Sequence, residues 1–290
     1  MIYTGFQDKK LSMLGFGTMR LPTLEGGAID EAQVAEMVQY ALDNGVNYFD
    51  TAYPYHGGMS EIVIGKALSA YPRDSYYLAT KYPGQQISSS YDPAAVFEEQ
   101  LKKCGVEYFD FYLLHNVYEN SIQTYLDPRW DIIGYFREQK RLGRIKHLGF
   151  SFHDTYQVFT QILNDYTWDF VQIQLNYLDW HNQGAEQLYR ELERRNLPVM
   201  VMEPVRGGKL ANLSEEDAAK LTAQRPDETP VAWAFRFIQG IPEVCVTLSG
   251  MSSFEQLKEN IATFEEERPL TAEDRAVLAK IVADMLGQGT

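Results

Sequence analysis

A chain of 290 residues that is 45% hydrophobic and 13% aromatic has material for one large α/β domain or two small ones. Its 40 acidic residues against 26 basic ones leave a net charge of −14, which argues against nucleic acid or an anionic membrane as a partner. Two cysteines without metal-ligand spacing, no basic-plus-apolar leader and no apolar run near ~20 residues point to reduced thiols in the cytoplasm and no membrane insertion.

Residues 2–17 read as a short hairpin followed by a first strand, with Gly5 and Gly15 as turn residues. Asp30 then caps a helix from Glu31 to Asn44, whose Val34, Met37, Val38, Ala41 and Leu42 recur at helical spacing until Gly45 stops it. A buried strand runs from Val46 to Phe49, with Asp50 where it ends. Pro54 and the Gly57-Gly58 pair enforce a loop, and Ser60 followed by Glu61 reads as the cap of a helix reaching Ala70.

The alternation continues. A strand from Ser75 ends in Lys81, a helix runs from Pro93 to Lys103, and a strand from Phe109 ends in His115. Helix Asp131 to Leu142 stops at Gly143, and strand Ile145 to Phe150 ends in Ser151. Helix Thr155 to Asn164, strand Phe170 to Gln174, helix Glu186 to Arg195 and strand Val199 to Met202 follow. Beyond a longer insert come helix Val231 to Ile238, strand Glu243 to Leu248, helix Phe254 to Phe264 and a last amphipathic helix from Thr271 to Leu286.

About eight strand–helix units, with strands that are continuous apolar runs, predict a parallel sheet buried on both faces. At roughly 250 residues for a complete (β/α)8 TIM barrel, the chain accommodates one with an N-terminal β-hairpin and an extra C-terminal helix. No Pro/Ser-rich linker divides it, so residues 1–290 are expected to form a single domain.

In such a barrel the C-terminal strand ends share one rim, so Asp50, Tyr55, Lys81 and His115 converge there. Their chemistry fits carbonyl reduction. Tyr55 donates a proton to the substrate oxygen while hydride reaches carbon. A phenol titrates near ~10, and an adjacent Lys81 ammonium should lower that value. Asp50 would hold Lys81 charged and in place, and His115 would orient and polarise the carbonyl. Each residue alone has an ordinary structural reading, as packing tyrosine, loop cap, strand-end charge or loop hydrogen bond. The four in this order at successive strand exits are harder to assign to packing.

At these residues the chain resembles the aldo-keto reductases over essentially its whole length. The likeness rests on Gly15-Phe16-Gly17-Thr18-Met19-Arg20, the Asp50 to Tyr55 segment with Gly65, Lys81, Leu114-His115, Gly149-Phe150-Ser151, Gln172, Glu203-Pro204 and Gly250 through Asn260. The resemblance implies a TIM barrel using NADP(H), with NAD(H) possible, and no G-x-G-x-x-G follows any strand. It places nicotinamide against Thr18, Met19, Ser151 and Gln172. Pyrophosphate would lie on Glu203, Pro204, Val205, Arg206, Gly207, Gly208 and Lys209, whose two cations would offset its charge. Ser249, Gly250 and Ser252 precede a helix N-terminus suited to phosphate, with Gln256 and Asn260 reaching the adenosine.

Some positions depart from the family pattern. Phe152 stands where many relatives have asparagine, Met202 where an aromatic residue often stacks on nicotinamide, and Ser252 and Gln256 where several carry arginine. Phe150 to His153 and the ending Met285 to Thr290 resemble a branch that often continues into a cysteine-rich iron–sulfur segment, which residues 1–290 do not contain.

The reading is therefore an NAD(P)H-dependent carbonyl reductase acting on a small molecule. Loops carrying Tyr82, Pro83, Tyr118, Trp130, His153 and Trp180 would line an aromatic pocket suited to apolar aldehydes. Two alternatives stand beside it: a barrel aldolase with a Schiff base on Lys81, and a nucleotide-binding redox-sensing subunit docking through its acidic C-terminal helix. The sequence leaves the physiological substrate and the oligomeric state open.

Overall fold

The computed structural model describes residues 1–287 and closes eight parallel strands into a barrel. The chain enters through an antiparallel hairpin, β1 (Tyr3–Phe6) and β2 (Lys9–Ser12). The barrel strands follow as β3 (Leu14–Gly17), β4 (Tyr48–Asp50), β5 (Tyr77–Tyr82), β6 (Phe109–Val117), β7 (Ile145–Phe152), β8 (Phe170–Gln174), β9 (Val199–Met202) and β10 (Val244–Gly250). Neighbours in sequence are neighbours in space, and β10 pairs with β3 to close the cylinder. No strand edge of the barrel is left open, which removes the aggregation hazard of an exposed edge.

The apolar runs sort into two layers. Inside the barrel, Tyr48, Ala79, Phe111, Leu113, Phe170, Met200, Val246 and Leu248 pack with Phe6 and Leu11 from the hairpin. The hairpin thus plugs the bottom, its Phe6 ring 5.2 Å from Phe111 and 4.8 Å from His147. Outside, helical faces such as Val34, Met37, Val38 and Ala41 of helix Glu31–Asp43 cover the strands. Each fully buried side chain of this kind contributes about 1.5–3 kcal/mol.

Local signals account for most boundaries. The Asp30 carboxylate accepts from the Gln33 N–H at the start of helix Glu31–Asp43. Gly45, past its end, has φ +93, and a Cβ there would fall 2.5 Å from the Tyr3 hydroxyl. The C-terminal helix Ala272–Gly287 follows Thr271, whose Oγ1 accepts from the Asp274 N–H. Of the ending Met285 to Thr290 that carried part of the family likeness, residues 288–290 lie outside the described residues.

Several expectations need correcting. Neither Gly5 nor Gly15 is a turn residue: Gly5 lies within β1, and Gly15 lies within β3, where a Cβ would meet Leu248 and Val246 side-chain atoms at 2.7 Å. The hairpin turns instead at Gln7, with φ +53. Ser60 does not cap helix Met59–Leu68. Left-handed Gly58 precedes that helix, and Ser60 is buried within it, donating to Thr18 Oγ1 at 2.7 Å. Within the long insert, helix Glu215–Gln224 is an element the sequence reading left unassigned.

Candidate active site

The site grows from the upper end of β4. Asp50 pairs in register with Ala79 of β5, which places Lys81 one side-chain repeat further toward the rim on the same inner face. The Lys81 ammonium lies 2.9 Å from both Asp50 carboxylate oxygens and donates to the Thr51 carbonyl at 2.7 Å. Burial alone would lower the lysine pKa, but the Asp50 carboxylate and the Tyr55 phenol more than offset it, so Lys81 stands above its ordinary value. It is an ammonium. A lysine held this way is a poor nucleophile, which disfavours a Schiff base on it.

A hydroxyl network fixes the carboxylate's surroundings. Thr18 Oγ1 donates to the Asp50 carbonyl at 2.9 Å, Ser60 donates to Thr18, and Thr51 Oγ1 lies 2.9 Å from Ser60 Oγ. All three hydroxyls are buried.

Tyr55 opens a tight turn, Tyr55–Gly58, in which His56, Gly57 and Gly58 all have positive φ. Glycine tolerates this freely, and a histidine there marks a held conformation. The holding bond runs from the Leu21 N–H to His56 Nε2, 3.2 Å. The turn sets the Tyr55 ring over the Lys81 ammonium, 5.1 Å from ring centroid to Nζ, and edge-on to His115 at 6.0 Å.

The expected lowering of the Tyr55 pKa does not prevail. Burial pushes the phenol up, and the Lys81 charge only partly opposes it. Water withdrawn from a phenolate costs more here than the ammonium returns. The phenol consequently keeps its proton at neutral pH, the form a proton donor needs.

His115 comes from β6 just where its register against β7 shifts, between Leu114 and Val117. Such irregularities re-aim side chains beside active sites. Burial, and next the Lys81 charge, lower the His115 pKa to about 3, so the imidazole is neutral. Gln85 Nε2 lies 3.1 Å from its Nδ1. With the amide donating there, the ring proton resides on Nε2, leaving a neutral donor facing the cavity.

Two hollows meet at Tyr55. The outer one holds about 520 Å³ and is lined by Met19, Pro54, Tyr55, His56, His115, Asn116, Ser151, His153, Gln174 and Met202. Of the expected substrate residues only His153 lies in it. Tyr82 points outward from the barrel, buried against Phe136 at 5.3 Å. Trp130 packs edge-on to Tyr91 at 5.7 Å, and Trp180 packs on Tyr189 and Phe237, each beside a different hollow. Pro83 is buried, and half-buried Tyr118 does not line the hollow, its backbone N–H donating to Ser121 Oγ at 3.0 Å. The expected aromatic pocket does not form at this hollow, because the Tyr82, Trp130 and Trp180 rings pack on other aromatic side chains instead.

The inner hollow is lined by Gly17, Met19, Arg20, Asp50, Tyr55, Gln172, Met202, Glu203, Pro204, Val205, Gly207, Leu248, Ser249 and Gly250. A dinucleotide fits this lining. Gln172 offers a buried side-chain oxygen without a protein partner, and a Cβ on Gly17 would crowd the Ser249 carbonyl at 3.1 Å. Thr18 sits behind the lining with its hydroxyl turned to Asp50, and Ser151 faces the outer hollow.

Two expected cations are elsewhere. Arg206 is ion-paired to buried Asp179 at 3.2 Å, and Lys209 is exposed beyond left-handed Gly208. Arg20 takes the place assigned to them. It runs between the two glycine stretches, since a Cβ on Gly250 or Gly207 would lie 3.5 Å from its side-chain atoms. It forms no ion pair with the described residues, and its place as the last residue of the Gly15 to Arg20 motif was the sequence signal for it. Ser252, Gln256 and Asn260 adjoin the hollow without lining it. Ser252 donates to Gln256 Oε1 at 2.9 Å through its N–H, and Asn260 donates to Ser249 Oγ at 3.1 Å. Asn116 and Gln85 carried no signal that set them apart in the sequence.

Among the described residues no group of His, Cys, Asp or Glu is placed to hold a metal ion, and no helix is long and apolar enough to cross a membrane.

Residues 13–283 match the sequence model of the Aldo/keto reductase family. The structure resembles the holo form of aldo-keto reductase AKR11C1 from Bacillus halodurans, with TM-score 0.78 and 28% identity over 97% of this chain and 96% of that one. L-galactose dehydrogenase of Arabidopsis thaliana is 25% identical over 94% of this chain and 90% of its own length. The NADH-specific methylglyoxal reductase of Escherichia coli (strain K12) is 24% identical over 89% of this chain and 91% of its own.

Proposed function

The chain belongs to the aldo/keto reductase family, and on that premise we propose that Tyr55, Lys81, Asp50 and His115 carry the NAD(P)H-dependent carbonyl reduction its members perform. The observation that carries the assignment is the Tyr55 ring 5.1 Å above an ammonium that a buried carboxylate holds in place.

The residues divide the work as follows. A carbonyl oxygen entering from the outer hollow accepts from the Tyr55 hydroxyl and from His115 Nε2–H. Met19 and Gln172 of the inner hollow would hold a reduced nicotinamide, which when bound would supply the hydride for the carbonyl carbon. Tyr55 gives its proton to the oxygen as negative charge develops there. The phenolate left behind is stabilised by Lys81, and Asp50 keeps Lys81 charged. A positioned acid of this kind contributes typically about 10²–10⁴-fold. Glu203, Pro204, Val205, Gly207, Ser249 and Gly250 line the path for the pyrophosphate, with Arg20 as its counter-ion.

The same reading takes residues 1–290 as one barrel domain, cytoplasmic, with small carbonyl compounds rather than nucleic acids as partners. The test is Tyr55→Phe, assayed with aldehydes and either coenzyme. It should cut kcat at least 100-fold while coenzyme affinity, measured by calorimetry, stays near wild type. Retention of most of the turnover would remove Tyr55 from the donor role.

A further inference from the structure

Behind Lys81, between the barrel wall and its helices, lies a buried polar cluster that the reaction does not touch. Strand β5 runs on past β4. The last residues of the two in register are Ala79 and Asp50, and the Thr51 N–H then meets the Ala79 carbonyl at 2.9 Å. Alternate residues of a parallel strand turn to the same neighbour, so the next carbonyl on that side belongs to Lys81, and no β4 residue stands in register to meet it. Gln100 of helix Pro93–Cys104 meets it instead, its Nε2 donating to the Lys81 carbonyl at 2.7 Å. The other end of the amide is taken as well, Oε1 accepting from the Tyr112 hydroxyl at 2.6 Å. A flipped amide would set its oxygen against the Lys81 carbonyl, so the network fixes which way it faces.

The preceding residue is held in the same manner. Thr80 Oγ1 donates to Glu61 Oε2 at 2.8 Å, and Lys103 Nζ donates to Glu61 Oε1 at 2.9 Å. Glu61 belongs to helix Met59–Leu68, which follows directly on the Tyr55–Gly58 turn. Two consecutive residues of β5 are thus tied from behind, Thr80 to the helix that continues from Tyr55 and Lys81 to helix Pro93–Cys104. Gln100, Glu61, Thr80 and Tyr112 are fully buried. Leucine or methionine would fill such a space with no polar group to satisfy. What the Gln100 amide adds is a fixed place for the Lys81 backbone.

Resting on the carbonyl-reductase reading above, we propose that Gln100 is a positioning residue for the reaction: it replaces the missing strand neighbour of Lys81 and so fixes the ammonium under the Tyr55 ring. It lines neither hollow and acts only through Lys81. The tip of the lysine is anchored by Asp50 and the Thr51 carbonyl, both on the β4 side. Without Gln100 its backbone would be anchored on the β6 side alone, where Lys81 and Tyr82 pair with Leu113 and Leu114. Gln100→Met keeps the length of the side chain but leaves the Lys81 carbonyl and the Tyr112 hydroxyl buried without partners. Groups in that state favour any shift that finds them new ones, and such a shift moves the ammonium relative to Tyr55. A misplacement of ~1 Å is enough to lower a rate by about 100-fold.

The experiment takes wild type, Gln100→Met and Gln100→Asn, which draws the same amide back by one methylene. With the best-used of a panel of small aldehydes and saturating NADPH or NADH, kcat should fall about 10-fold or more in Gln100→Met. Coenzyme affinity by calorimetry should stay within about twofold, because the inner hollow is untouched. A merely structural glutamine would affect the melting temperature and leave Lys81 where it is, so proton–nitrogen NMR of the lysine ammonium groups supplies a second readout. The slowly exchanging signal that disappears in Lys81→Met identifies Lys81 in wild type. In Gln100→Met that signal should shift, and its protons should exchange faster with water. Should Gln100→Met fail to fold, Gln100→Asn carries both measurements in the same direction. A kcat within about twofold of wild type, or an unmoved Lys81 signal, overturns the proposal. Failure of the carbonyl-reductase reading looks different: wild type then turns over no aldehyde with either coenzyme, whatever the Lys81 signal does in the variants.

Discussion

The ammonium of Lys81 sits 2.9 Å from each carboxylate oxygen of Asp50, with the lysine 1% and the aspartate 3% exposed. Removing one partner of such a buried pair strands the other charge without water, at a cost of about 3–5 kcal/mol. Asp50→Asn is therefore expected to lower Tm by on the order of 10 °C. It should also lower kcat, because Lys81 either loses its proton or leaves Tyr55. Thermal unfolding and single-turnover kinetics check the two effects together. A variant as stable as wild type would mean that the pair is not what secures the barrel mouth.

Arg20 is the cation that lines the inner hollow, and it is exposed, with no ion pair among the described residues. Replacing it with glutamine should weaken NADPH binding about tenfold, or ~1.4 kcal/mol, with little effect on kcat at saturating coenzyme. The salt dependence of binding should flatten in step, since one charge contact with the coenzyme phosphates is gone. Calorimetric titration at low and high ionic strength reads both. Arg206→Gln serves as the contrast. Its guanidinium pairs with Asp179 at 3.2 Å, so its loss should act through the shape of the 203–209 loop and leave the salt slope alone.

Much of this was legible in the sequence, for physical reasons. Buried parallel strands announce themselves as apolar runs, and strand ends in a barrel share one rim, so Asp50, Tyr55, Lys81 and His115 could be brought together without coordinates. Pattern could not reveal which way side chains turn once loops pack. Tyr82 and Trp130 are as aromatic as any pocket residue, yet one faces a helix and the other lies on Tyr91. Arg20 and Arg206 are equal cations in sequence. Only the fold shows that Asp179 holds the second, while the first has no ion pair among the described residues. Nor could composition settle the sign of the Tyr55 shift, a contest in which burial, with Asp50 and Glu203 beside it, outweighs Lys81.

Gln85 is the group against His115 Nδ1, at 3.1 Å. An amide donor there stabilises the neutral ring protonated on Nε2. Nitrogen-detected histidine NMR of wild type should show that tautomer, with no protonation down to about pH 4, since burial and Lys81 hold the pKa near 3. Gln85→Glu puts a carboxylate against the same nitrogen, which favours the imidazolium and should move the titration upward by about one unit or more. An unmoved titration in the variant, or the Nδ1 tautomer in wild type, removes Gln85 from its positioning role.

The imidazole of His147 gives a pH dependence that can be read apart from catalysis. It lies at the bottom of the barrel, 4.8 Å from the Phe6 ring and 5.0 Å from Phe111, and its Nε2 has no hydrogen-bond partner among the described residues. Burial first, then Lys9, hold its pKa down to about 4 from an ordinary value of 6.5; Lys140 adds to the lowering, and Asp169 and Asp8 oppose it. Between those two values the unfolded chain binds a proton at this ring that the folded chain does not, so stability rises with pH across the window. Read downward, stability falls as pH drops from about 6.5 toward about 4, and below that this ring adds no further loss. His115 acts in the same direction. His147→Phe puts a neutral ring among the same neighbours and should flatten the fall by up to one proton's worth of slope. Guanidinium unfolding midpoints at steps from pH 7.5 to 4.5 measure it, and parallel curves for the two proteins would place the titrating group elsewhere.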